Sequence, residues 1–211
     1  MRANAVGLGF TRRGLVATGL GLLAVPRAVL AAMPTPAQTA GPFYPLAKPA
    51  DSDADLTAVA GRAARAKGDV IAVTGRVFNT SGAPADAVTV EIWQADWHGH
   101  YHHPADRANE PPDPDFQGFG AIRTVADGGY RFRTIMPLYY GQGAGQRTRH
   151  IHFRVVDARN REFVTQMYFP GEPLNARDAI FRSLGPAERE AVTARLAAGE
   201  VPNYQFDLML P

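Results

Sequence analysis

From Asp69 onward the chain alternates apolar and polar residues with a period of two, and that pattern leaves few folds open. Val88, Val90 and Ile92 alternate with Thr89, Glu91 and Trp93. Tyr130, Phe132 and Thr134 alternate with Arg131 and Arg133, and Ile151, Phe153 and Val155 with His150, His152 and Arg154. Residues 70–78, 162–169 and 203–209 read as further strands. Successive strand residues point to opposite faces, so each segment has one face for a core and one for water or a site. Such strands pair in antiparallel sheets. Turns fall where they are needed, at Thr80-Ser81-Gly82 and Asp127-Gly128-Gly129, in a chain with 21 Gly and 17 Pro. The pattern predicts an all-β fold: a two-sheet antiparallel β-sandwich with long loops and a few short helices. One short helix is expected over 54–67, stopping at Gly68. Another is expected over 186–198, with Pro186 at its start and Gly199 just past its end. The polar stretch from Gln94 to Ala126 has little strand pattern, and loops of that length inside a compact domain usually serve function.

The first 32 residues lie outside this pattern. A positive stretch ends at Arg12-Arg13, an apolar run extends from Gly14 to Val25, and small residues follow at Val29-Leu30-Ala31-Ala32. That is the grammar of an export signal, and the paired arginines make it a twin-arginine type that would deliver the protein to the bacterial periplasm. The run is shorter than the ~20 residues that cross a bilayer as a helix, so no stable membrane span is expected after export. Residues 33–50, rich in Pro and small side chains, read as an extended arm. The expected organisation is therefore a signal peptide (1–32), an arm with a short helix (33–68) and a β-sandwich domain (69–211). The formal net charge is +2, but residues 1–31 carry four Arg and no acid; without them 18 basic residues face 20 acidic ones, and nothing points to nucleic acid.

There is no cysteine, which excludes disulfides, a thiol nucleophile, a zinc ribbon and an iron–sulfur cluster. The six histidines form two groups, His98, His100, His102 and His103 in WHGHYHH, and His150 and His152 in RHIHF. Positions i and i+2 of a strand share a face, so the second pair reads either as the two-nitrogen half of a metal site or as two solvent-facing residues of an edge strand. His98, His100 and His102 read as an exposed loop and His103 as an aid in positioning the Tyr101 loop, with copper or zinc binding by the group as an alternative. Tyr101 and Tyr139-Tyr140 stand in loop positions near these groups. Phenolate is a hard anionic oxygen donor suited to a ferric ion.

The stretches GPFYP (41–45), VEIWQADWHGHYHHP (90–104), DPDFQGFGAIRTVADGGYRFRTIMPLYY (113–140), RTRHIHFRV (147–155), FVTQMYFPGEP (163–173) and YQFDLML (204–210) together resemble the intradiol ring-cleavage dioxygenases, and among these the protocatechuate 3,4-dioxygenase branch. The likeness runs from about Thr39 to Leu210. It implies one non-haem Fe(III) per chain held by Tyr101, Tyr140, His150 and His152. It further implies that Tyr140 acts as ligand and base, that Arg147 stabilises negative charge on the substrate, and that Gln166 lines the same pocket. The implied reaction opens a catechol-type ring with O2 to a cis,cis-muconate-type diacid. The implied partners are that substrate, O2, and either copies of the chain or a related second chain. A β-sandwich that binds without turnover is the alternative. Where the family often has Pro-Trp after its second tyrosine, this chain has Gly141-Gln142. The loop 141–146 (GQGAGQ) and Arg149 are therefore candidates for selecting the ring substituent, and Tyr139 is a rival to Tyr140.

Overall fold

The computed structural model describes Met1, residues 33–107 and residues 109–211; the expected signal peptide lies outside the described residues. Among the described residues no helix is long and apolar enough to cross a membrane.

The alternating segments become strands β1 (Val70–Phe78), β2 (Thr89–Trp93), β4 (Gly129–Ile135), β5 (His150–Val156) and β6 (Glu162–Tyr168), with β3 (Phe119–Arg123) between β2 and β4. Short helices α1 (Ala179–Ser183) and α2 (Pro186–Val192) follow, and then the short strands β7 (Arg195–Ala197), β8 (Asn203–Gln205) and β9 (Leu208–Met209). One sheet has the order β4-β1-β8-β7, with β9 also on β1. The other has the order β3-β2-β5-β6. The second sheet is wholly antiparallel, whereas β8 and β9 run parallel to β1. Ile71, Val73, Phe132, Val90, Ile92, Ile151, Phe153 and Phe206 fill the space between the sheets and are essentially inaccessible to solvent. At the ~25 cal/mol per Å² expected for apolar burial, this layer is the main source of stability.

The helix expected over 54–67 does not form. Aspartate side chains capture the backbone instead: Asp53 accepts from the Asp55 amide at 2.8 Å, and Asp55 accepts from the Thr57 amide at 3.1 Å. The segment then bonds outward, Leu56 N–H to the Arg133 carbonyl and Arg133 N–H to that of Ala54, and so covers the edge of β4. Competing side-chain acceptors and a free sheet edge outweigh a modest helix propensity. The helix expected over 186–198 ends at Val192, because Ala194 N–H bonds to the Tyr168 carbonyl and the chain goes on as β7 beside β8. The single strand expected over 203–209 is split at Phe206–Asp207, where the Tyr130 hydroxyl bonds to the Phe206 carbonyl.

Candidate active site

β5 lies inside its sheet, between β2 and β6, and not at an edge. Ile151 and Phe153 face the core. His150 and His152 face the opposite, outer side of the sheet, yet they are only 2% and 1% exposed, so the solvent-facing reading does not hold. They are covered by a second, smaller apolar layer on that outer side: Trp93, Ala95, Tyr101 and Phe119, with Phe43, Tyr44 and Tyr140 packed against them. The arm supplies much of this cover. Gly41 has φ +66° and passes so close that a Cβ there would lie 3.5 Å from the His152 ring. Phe43 stacks on Tyr101, centroids 4.5 Å apart, and meets Tyr140 edge-on at 5.8 Å. Trp93, directly across from His152, stacks on it at 4.8 Å and 7°.

Tyr101 is held by its loop. Asp96, fully buried, accepts from the amides of His98 and His100 through one oxygen and from the amide of Asp113 through the other, at 2.8–2.9 Å. Asp106 accepts from the Tyr101 amide at 2.6 Å. The Asp96 carbonyl also takes the Leu138 N–H, which ties this loop to the one that carries Tyr140. Tyr140 and Arg147 exchange backbone hydrogen bonds, and this pins the Tyr140 loop to the start of β5. The result is a cluster with ring centroids 5.3 Å apart for Tyr101–Tyr140, 5.6 Å for Tyr140–His150, 6.3 Å for Tyr101–His152 and 4.8 Å for His150–His152.

Arg147 completes it. Its Nε donates to Asp178 at 2.8 Å and its Nη2 to Gln166 Oε1 at 2.5 Å. Gln166 is fully buried; its amide nitrogen donates to the Thr39 carbonyl of the arm at 2.9 Å, and this fixes its oxygen toward Arg147. Asp178 is 1% exposed, accepts also from the Thr148 and Phe181 amides, and caps α1. Burial works against a charged Arg147, and the Asp178 carboxylate more than compensates and holds the guanidinium protonated.

The donor set fits a metal ion. Among the described residues no three or more His, Cys, Asp or Glu side chains converge, so any ion here must take phenol oxygens as well. The His150 Nδ1 lies 2.6 Å from the Thr148 carbonyl, which accepts a hydrogen only if Nδ1 carries it. Nε2 is therefore a lone pair, and it faces the His152 Nε2 at 3.2 Å. Burial first, then the Arg147 charge, pushes His150 down to about 3; burial and then His150 push His152 down as well, so both rings are neutral. The Tyr101 hydroxyl is buried without a partner of hydrogen-bonding geometry, against the Tyr140 phenol. Burial raises both phenols above their ordinary value, and in Tyr140 the Arg147 charge offsets part of this. Two imidazole Nε2 atoms and two phenol rings thus meet in one largely buried place. A cation there would satisfy the facing nitrogens and bring the phenols down to phenolates.

All six sequence-assigned site residues (Tyr101, Tyr140, Arg147, His150, His152 and Gln166) fall in this one cluster. Tyr139 does not; it is 41% exposed. Arg149 does not either: it pairs with Glu172 at 3.5 Å and lines a separate cleft with Gly68, Asp69, Trp97 and Met136. His98 and His102 are exposed, and His100 and His103 half-buried. Sequence reasoning missed Asp178, Asp96 and Phe43. Asp178 had one local signal, an Asp just before a short helical run.

A family model described as Dioxygenase matches residues 39–211. The chain is 41% identical over 167 residues to the protocatechuate 3,4-dioxygenase beta chain of Burkholderia cepacia, covering 75% of this chain and 71% of that one. It is 36% identical over 118 residues to catechol 1,2-dioxygenase 1 of Acinetobacter lwoffii, covering 49% of this chain and only 37% of that protein. Among solved structures, the dioxygenase domain of a dioxygenase–carbohydrate-binding protein fusion from Streptomyces sp. SirexAA-E is similar with a TM-score of 0.63 at 32% identity, covering 84% of this chain and 97% of that one.

Proposed function

Because this chain belongs to the intradiol ring-cleavage dioxygenases and is similar to their protocatechuate 3,4-dioxygenase branch, we propose that the cluster of Tyr101, Tyr140, His150 and His152 is where it opens a catechol-type ring between the hydroxylated carbons. The observation that carries this reading is the meeting of two imidazole Nε2 atoms and two phenol rings in a largely buried site beside Arg147. These four residues would hold one non-haem ferric ion, with the phenolates as hard anionic donors. When bound, the ion supplies positive charge that draws electron density from a catecholate and readies the ring for O2.

The chain's own residues divide the remaining work. A catechol that binds through both oxygens sheds two protons, and Tyr140 is placed to take one at its phenol oxygen. It is only partly buried and sits on a loop, and its raised proton affinity makes its phenolate a capable base. Tyr101 is 3% exposed, clasped between Phe43 and its own loop, and stays in place. Arg147, held from behind by Asp178 and Gln166, presents fixed positive charge where negative charge develops on the ring. Phe43 and Trp93 keep water from the histidines.

The test is the visible spectrum of the iron-loaded protein. A broad tyrosinate-to-iron band should appear, move to longer wavelength when catechol is added without O2, and be lost in Tyr101→Phe. A protein that stays colourless with added iron overturns the reading. The paired arginines before a short apolar run further support export to the periplasm by a twin-arginine route; recovery of the untruncated chain in the cytosolic fraction would refute that.

A further inference from the structure

We infer that Gln38, on the arm, is a positioning residue for Arg147: its side-chain oxygen takes the hydrogen of the Tyr168 hydroxyl and so leaves the Gln166 oxygen to the guanidinium. Its effect on turnover rests on the ring-opening reading above; its effect on the hydrogen bonds does not.

The relay follows from which atoms can donate and which can only accept. Gln38 is seated on β6, its backbone N–H bonded to the Val164 carbonyl at 2.9 Å. Its amide nitrogen lies 3.3 Å from the Gln166 carbonyl, which can only accept. The same nitrogen lies 3.3 Å from Thr165 Oγ1, which gives its own hydrogen to the Pro36 carbonyl at 2.8 Å. These acceptors fix the nitrogen on their side, and Oε1 is the atom turned to Tyr168. The Gln166 amide is fixed in the same way, its nitrogen on the Thr39 carbonyl at 2.9 Å and its Oε1 towards Arg147 Nη2. The Tyr168 side chain is wholly closed to solvent. Its hydroxyl stands between two acceptors, Gln38 Oε1 at 2.9 Å and Gln166 Oε1 at 3.2 Å, with a single hydrogen to give. The nearer oxygen takes it. Burial raises the Tyr168 phenol and the Arg147 charge offsets part of this, so the cation stands where it attracts the hydroxyl oxygen and repels its hydrogen. Without the Gln38 oxygen, the hydrogen turns to Gln166 Oε1 and competes there with Arg147 Nη2. Asp178 would then hold the guanidinium through Nε. A planar fork held at one nitrogen can swing, whereas one held at two cannot.

The experiment compares Gln38→Met, Tyr168→Phe and the double variant with the unmodified, iron-loaded protein. Met keeps the length of the Gln side chain, and the backbone bonds that seat the arm do not depend on it. Gln38→Met should lower kcat for catechol about tenfold and change KM by no more than about twofold, with the visible band in place. Tyr168→Phe removes the competing hydroxyl. Alone it should cost less than Gln38→Met, and combined with Gln38→Met it should bring kcat back to within about twofold of the unmodified protein. Loss of packing cannot produce that rescue. Crystal structures of the same proteins read the contact without turnover: Arg147 Nη2 should part from Gln166 Oε1 in Gln38→Met and return to it in the double variant. An Arg147 that stays on Gln166 in Gln38→Met overturns the inference, as does an unchanged kcat in that variant or a double variant no faster than it. If the unmodified chain cleaves no catechol, it is the ring-opening reading that fails, and the crystal structures by themselves decide the relay.

Discussion

Asp178 shows how much one side chain can organise. Its carboxylate receives the Arg147 Nε and the amides of Thr148 and Phe181, so it fixes the cation, the stretch that leads into β5 and the start of α1 together. Removing its charge leaves a buried guanidinium without a counter-ion, which typically costs about 3 kcal/mol. Asp178→Asn should therefore lower the denaturation midpoint, and in the iron-loaded protein it should lower kcat more than it raises KM for catechol, because Arg147 loses its fixed direction. An unchanged kcat with a lower midpoint would make Asp178 a folding residue only. At this scale the sequence was an uneven guide. His150 and His152 could be read from strand period, and Tyr101, Arg147 and Gln166 from their surrounding motifs. Tyr140 came from the same resemblance, with Tyr139 as its rival; in the fold the Tyr140 ring enters the aromatic layer and Tyr139 is exposed. Asp178 lies 31 positions from Arg147, and no local pattern announces a partner at that distance.

Among the elements, the arm depends on an ionic clasp. Glu91 on β2 is 1% exposed and accepts from the Tyr44 hydroxyl at 2.8 Å, from Arg154 at 2.9 Å and from Lys48. Burial alone would raise the Glu91 carboxyl, but Lys48, Tyr44 and Arg154 together bring it below its ordinary value. A carboxylate lowered in the folded state contributes stability above its unfolded pKa and loses it as pH falls through the folded one. Glu91→Gln should then cost about 1–2 kcal/mol at pH 7, since Lys48 is half exposed and its share is screened. The gap to the unmodified protein should close as the pH drops below about 4, and paired melting curves across that range would show it. A gap that persists into acid would mean that Glu91 acts by packing and not by charge. The elements themselves were legible where one face meets the core, as in β1, β2, β4, β5 and β6. β3 was missed because Phe119, Gly120 and Ala121 are all buried or nearly so, which erases the alternation. The helix expected over 54–67 was lost to aspartate side chains competing for the backbone.

In the whole molecule, core and site lie on opposite sides of one sheet. The core between the sheets contains no site residue, and the site has its own apolar layer under the arm. Stripping the iron-loaded protein with a chelator should therefore abolish colour and activity while the far-ultraviolet circular dichroism stays that of the β-sandwich. Only the melting temperature should fall, by the linkage expected for any bound ligand. Collapse of the spectrum on chelation would show that the sandwich needs its metal to fold. The two-sheet architecture followed from alternation. The placing of the site on the outer face did not, because period two says that two faces exist and is silent on which one is roofed over.

β5 is where this division matters most, since Ile151 and Phe153 point one way and His150 and His152 the other. A lineage or an engineer can rework the roof (the arm, the Tyr101 loop and the stretch after Tyr140) while the packed interior goes untouched. New ring specificities are thus open to small drifts in surface segments, at little risk to folding. The same strand is correspondingly intolerant: a residue added or lost within it would exchange its faces, turn imidazoles into the oil and apolar side chains into the chemistry, and end both at once.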